Sequence, residues 1–459
     1  MDITTLTFDK RDEFTRKAIA EKIISLLQSP IEISPMLIDG SWGTGKTEFC
    51  HKLINLMRKN DSLMGENESH HLIYIDAFKA DHADEPLMTV LAEVIKVLPD
   101  KESKDGFMKK ALPAVRYGLK TIAKAGVSHL LKQEVADIAN DFDKQIQGAA
   151  DKAIDATVES VLKDHVKAEQ NLKTLQTALA EIAATKPIIL FIDELDRCRP
   201  NFAVEMLEVI KHTFDVVGVS FVLITNTTQL KASINHCYGS AVDAQRYLDK
   251  FLKFTFRLAE FHGQSVYHQT HVSITHYKKL VNNSPILKEC ALIVEQYNEI
   301  MEHLIKLHNI SLREIETLVR NLEIYQTLTD KKGLASNVYF GYKLLRLFAV
   351  LLCTFQPKLA DTFLNKQVDA KALGKFLGQL AFVQYTDSYG YPEHYQILAV
   401  MLGQECTINS ELFITKDEEQ IEHWKKIILS YFNNRWFNFD EDQASGIVVE
   451  TLKTMSLSS

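Results

Sequence analysis

Lys46 and Thr47 close the stretch GSWGTGKT, and Asp193 and Glu194 close PIILFIDE; these four residues have the types and spacing to do chemistry. Gly40, Gly45, Lys46 and Thr47 fit the pattern G-x-x-x-x-G-K-[ST], a loop that cradles phosphates. Its glycines permit positive φ, so that successive N–H groups turn toward one anion. A helix beginning near Gly45 would add the positive end of its dipole at the same spot. The expected nucleotide contacts are Gly40, Ser41, Trp42, Gly43, Thr44, Gly45, Lys46, Thr47 and Glu48. Lys46 would neutralise the β- and γ-phosphates, and the Thr47 hydroxyl would be one ligand of a Mg²⁺ that keeps several waters.

A bound nucleotide needs carboxylates to hold the metal and activate water. Asp193, at the end of an apolar run, is expected to hold Mg²⁺, and Glu194 to act as general base. Asn226 ends a third apolar run, VSFVLITN. It reads either as a side chain that orients the attacking water or as a turn former in NTTQL. Asp76 in IYIDAF has a similar strand-end place and suits a supporting role. Three arginines could meet the γ-phosphate charge: Arg197, Arg246 and Arg313. Arg197 is also a candidate salt-bridge partner of Asp196. Arg313 is the first choice, since Ser311 and Glu314 form a capping box that puts it in the first turn of a helix.

The elements that must position these groups are legible in outline. Met36, Leu37 and Ile38 have strand character, and Phe49, Leu53, Ile54 and Met57 recur at helical spacing. Ile188 to Ile192 are continuously apolar, as in a central strand of a parallel sheet, and ligands bind at the carboxyl edge of such sheets. The fold expected is α/β: a P-loop parallel sheet from residues 1–100 and 186–260, interrupted by a helical insertion at 101–185. An α-helical lid and C-terminal domain follow at 261–459. Val158, Leu162, Val166, Leu172, Leu175, Leu179 and Ile182 predict long amphipathic helices in the insertion. Phe107 to Gln133 carries Lys109, Lys110, Arg116, Lys120, Lys124 and Lys132 without an acidic residue. That stretch could dock on an anionic membrane, nucleic acid or an acidic partner, or be a solvated helix face.

GSWGTGKT with its tryptophan, IDELDRC with the following helix FAVEMLEVIKHTF, LIYIDAFKADHADEPLMTVLAEVI and RYLDKFLKFTFRL together resemble the KAP family of P-loop NTPases. The resemblance covers about residues 10–330 in pieces. It implies ATP as ligand and an arginine on the helical lid, the place Arg313 takes here. It also implies an oligomeric ATPase of bacterial defence against phage or plasmids, with an effector partner. The family tends to carry Asn-Ala-Trp where this chain has Asp76, Ala77 and Phe78, and an Asp is commoner at the place of Asn226. Many relatives insert membrane-spanning helices between the two motifs; here that interval is charged throughout.

Composition sets the limits. The 459 residues are 46% hydrophobic and 24% charged, with net charge −8 and pI near 6.1, which argues against coating nucleic acid through bulk charge. Six scattered cysteines without C-x-x-C spacing disfavour zinc, and with no secretory signal a disulfide framework is not expected; the cytoplasm is the expected compartment. The stretch NVYFGYKLLRLFAVLLCTF is broken by Lys343 and Arg346 and reads as a buried helix rather than a membrane span. The leading reading is an ATP-hydrolysing switch. A nucleotide-gated scaffold for a partner protein is the runner-up, disfavoured by Glu194, which a pure binder does not need. A nucleic-acid-stimulated motor and a small-molecule kinase rank lower, and the preference for ATP over GTP is not legible.

Overall fold

The computed structural model describes residues 2–63, 69–83, 85–122, 158–263, 269–384, 391–432 and 444–457. They form two compact units, Met1–Ala259 and Glu260–Ser459.

The first unit is built on five parallel strands: β1 (Met36–Asp39), β2 (His71–Asp76), β3 (Ile188–Asp193), β4 (Val219–Thr225) and β5 (Phe254–Arg257). Their order across the sheet is β2-β3-β4-β1-β5. Side chains alternate along each strand; on β1, β3 and β4 nearly all of both sets are buried, so both faces are covered there, whereas the edge strand β5 is largely exposed. On β3, Ile188, Leu190 and Ile192 join one core and Ile189 and Phe191 the other. All six residues of β3 are buried, as its continuous apolar run predicts.

Helices α1 (Lys17–Leu27) and α2 (Lys46–Leu63) supply the core on the second face through Ala20, Ile23, Phe49, Leu53 and Ile54. On the other face lie α3 (Pro86–Lys96), α4 (Lys101–Ile122), α5 (Val158–Thr185), α6 (Pro200–Thr213) and α7 (Thr227–Tyr238). Within the expected insertion, Leu175, Ala178, Leu179 and Ala183 form the buried stripe of α5, and Phe107 and Ala111 bury from α4 into the same core. Val158, Leu162 and Val166 lie where no side chain is described. Of the basic stretch, Lys110 pairs with Glu181 at 2.5 Å, while Arg116, Lys120, Lys124 and Lys132 lie outside the described side chains.

Among the described residues the second unit is helical apart from a short antiparallel pair, β6 (Phe261–His262) with β7 (Thr270–His271), and an isolated bridge between Asp369 and Ile408, which the pattern after residue 260 did not announce. Its centre is α8 (Phe340–Phe355), where Leu344, Leu345 and the run Leu347 to Leu352 are all buried. This is the stretch read as a buried helix, and no helix among the described residues is long and apolar enough to cross a membrane. Lys343 is buried with it and donates to the Cys290 carbonyl at 3.0 Å.

Candidate functional site

Because all five strands run the same way, Asp39, Asp76, Asp193 and Thr225 end at one edge of the sheet. β1 and β3 are not neighbours: β4 lies between them, and the phosphate loop and the acidic strand end meet across its tip. The loop leaves β1 and turns through Gly43 (φ 76°) and Gly45 (φ 81°), conformations that only glycine adopts without strain. A Cβ on Gly40 would stand 2.9 Å from Thr44 Oγ1 and 3.3 Å from the Lys46 chain, so that glycine is required by space. Lys46 opens α2, and its ammonium lies over the loop, donating to the carbonyls of Gly40 at 2.7 Å and Ser41 at 3.1 Å. Burial lowers its pKa, and Asp196, Asp193 and Asp39 counter that.

Asp193 is 1% exposed and accepts from the Thr47 hydroxyl, from the Glu194 N–H at 2.8 Å and from the Tyr74 hydroxyl at 3.2 Å. Burial raises its pKa against those three donors. The two expected metal ligands, Thr47 and Asp193, are therefore in contact. The next residue, Glu194, sits in the left-handed region at φ 60°, ψ 24°. For a residue with a side chain this costs roughly 1–2 kcal/mol, and such strain clusters at functional sites. Its carboxylate lies 2.9 Å from Arg197, and burial raises its pKa while Arg197 lowers it.

Arg197 thus pairs with Glu194 and not, as expected, with Asp196. Asp196 instead takes its donors from two other elements: the Trp42 indole N–H donates to Oδ2 and the Thr225 hydroxyl to Oδ1 at 3.0 Å. Trp42 keeps 49% of its surface exposed. Glu48 carries its carboxylate away to Lys52 at 2.6 Å and Arg11 at 3.5 Å. Asn226 uses Oδ1 to cap α7, accepting from Thr228 N and Gln229 N, so only its amide N–H₂ remains to meet a water. Asp76 likewise caps a short helix through Lys79 N. Arg246 is largely exposed and pairs with Asp243 at 3.4 Å. Arg313 belongs to the second unit, exposed in the first turn of α9 (Leu312–Leu328), whose capping box from Ser311 and Glu314 is present.

Four residues escaped the sequence reading. Buried Arg16 donates to the Thr44 carbonyl at 3.0 Å and to Ala259 O at 3.1 Å. Burial holds its pKa down at about 10, so it is still charged at neutral pH. Asp39 accepts from Thr227 N at 2.8 Å, tying β1 to the start of α7. Tyr74 and Thr225 fix Asp193 and Asp196. Only Tyr74 left a trace, standing two residues before Asp76 on the same side of β2. The other three act across long separations that no local pattern marks.

A profile of the KAP family P-loop domain matches residues 16–329, more than half of the chain. No curated protein matches it. The match takes in both motifs, all five strands and the helix that carries Arg313. The chain therefore belongs to the KAP family of P-loop NTPases, with a fold built to bind nucleotide.

Proposed function

We propose that this protein is an ATP-hydrolysing switch that works with Mg²⁺. The observation that carries the reading is the contact of Thr47 with buried Asp193, followed at once by Glu194 in a strained backbone conformation. The site fits the metal: one buried carboxylate beside one hydroxyl suits an ion that prefers few protein ligands. Thr47 and Asp193 would hold Mg²⁺, which when bound spreads the charge that builds on the phosphate oxygens. The N–H groups of the loop bind the phosphates, and Lys46 exchanges its two carbonyl partners for phosphate oxygens. Glu194 takes the proton of the water that attacks the γ-phosphorus as the bond to the bridging oxygen breaks. Arg313 on the helix following the capping box, and the Asn226 amide, are the residues we assign to sensing the γ-phosphate. The wider role, an oligomeric regulatory or effector ATPase in bacterial defence that acts with a partner protein, rests on kinship to the family alone.

The test is steady-state hydrolysis of Mg·ATP by the purified protein beside Glu194→Gln and Lys46→Ala. Turnover in the wild type that both variants lose supports the reading. Tight ATP binding without turnover in the wild type would replace it with a nucleotide-gated scaffold.

A further inference from the structure

Asp196 is 7% exposed and has no part in the nucleotide chemistry described above. Its two oxygens join two places in the first unit that the chain keeps far apart. Oδ2 accepts from Trp42, which stands inside the phosphate loop between Gly40 and Gly43; Oδ1 accepts from Thr225, the last residue of β4. Thr225 in turn accepts the Gly40 N–H on its carbonyl at 3.3 Å. Loop, strand tip and acidic turn thus form a closed ring of hydrogen bonds. Asp196 lies in the single 3₁₀ turn Leu195–Arg197, directly behind Glu194, and the next residue, Arg197, grips the Glu194 carboxylate. A displacement of the loop at Trp42 is therefore a displacement of the turn that aims Glu194.

We propose that Asp196 is a positioning residue that, through Trp42 and Thr225, fixes the turn carrying Glu194 to the phosphate loop, so that base and phosphates move as one unit. The proposal rests on the reading of Glu194 as the general base. Each oxygen of Asp196 thus has a donor from a different element. Asparagine at 196 could still accept from Trp42 and turn its N–H₂ to the Thr225 hydroxyl, which accepts as well as donates, so the informative change is to alanine, which removes both acceptors and opens the ring. Phenylalanine at 42 keeps an aromatic ring but removes the N–H together with part of the indole.

The experiment measures kcat for Mg·ATP, and Kd for a non-hydrolysable ATP analogue with Mg²⁺, in Trp42→Phe, Asp196→Ala, the double variant and Glu194→Gln. Thermal melting of each variant checks folding. The expected result is a loss of about tenfold or more in kcat for each single variant with Kd within about threefold, and a double variant no worse than the weaker single. Such a split is not what a merely structural residue gives, since that would move Kd, kcat and melting together. Hydrolysis lost in Glu194→Gln but kept in Trp42→Phe and Asp196→Ala overturns the proposal and leaves the ATPase reading standing. Losses that multiply in the double variant overturn it too, because the two residues would then act separately. No hydrolysis in the wild type overturns both.

Discussion

At the scale of the residue, Glu194 carries a conflict between stability and chemistry. Its left-handed backbone is a conformation that suits glycine, and a chain selected only for stability would not keep a glutamate there. Glu194→Gly is predicted to raise the stability of the protein by about 0.5–1 kcal/mol, even though the half-exposed pair with Arg197 is lost. The same change removes the base and should abolish turnover. Urea melts beside ATPase assays check both parts; a destabilised Glu194→Gly would mean that the carboxylate is held for packing and not for catalysis. The place of Glu194 just beyond a central strand was legible from the five apolar residues before Asp193. Its strain was not, because nothing in ELDRC announces which residue makes the turn. The partner of Arg197 differs for a related reason: adjacency in sequence offered Asp196, but the 3₁₀ turn carries Arg197 back to Glu194 while Asp196 faces Trp42 and Thr225 across the fold.

At the scale of the element, the central strands around the site follow from continuous apolar runs and the helices from patterns of period three to four, since each buries what its sequence makes apolar. What the patterns leave out is how the elements are tied at their ends. Arg16, at the start of α1, holds the carbonyl of Thr44 in the phosphate loop and that of Ala259 beyond β5. No local signal marks it, because its partners lie 28 and 243 positions away. Both carbonyls would be left without their charged donor in Arg16→Met, which should cost about 2–3 kcal/mol. It should also weaken nucleotide binding, since the Thr44 carbonyl no longer fixes the loop. Urea melting and a Kd measurement test this; unchanged values in both would show that other contacts hold the loop. Lys343 in α8 teaches a similar lesson. The sequence marks it as an interruption of an apolar run, whereas the structure buries it with its ammonium on the Cys290 carbonyl and over the Tyr297 ring, 5.4 Å from the centroid.

At the scale of the whole molecule, the hydrophobic cores divide where the chain does. Among the described residues, the buried members of the two clusters on the faces of the sheet run from Phe8 to Leu258 and those of the helical cluster from Ile274 to Leu452. Each unit therefore has a core of its own and its own reason to fold. The first unit must bring β3 beside β2 after more than a hundred residues of intervening chain, a non-local pairing that is slow to form. The second is assembled mainly from helices packed on α8, which needs fewer long-range closures. A chain of residues 260–459 alone is therefore predicted to fold: strong helical circular dichroism, a cooperative urea transition and no binding of a hydrophobic dye. The measurement is far-ultraviolet circular dichroism through a urea titration. A broad, non-cooperative loss of signal would mean that the helical cluster depends on the sheet unit for its packing. In that case the residues matched to the family beyond Ala259, Arg313 among them, would belong physically to the nucleotide domain and not to an independent helical unit.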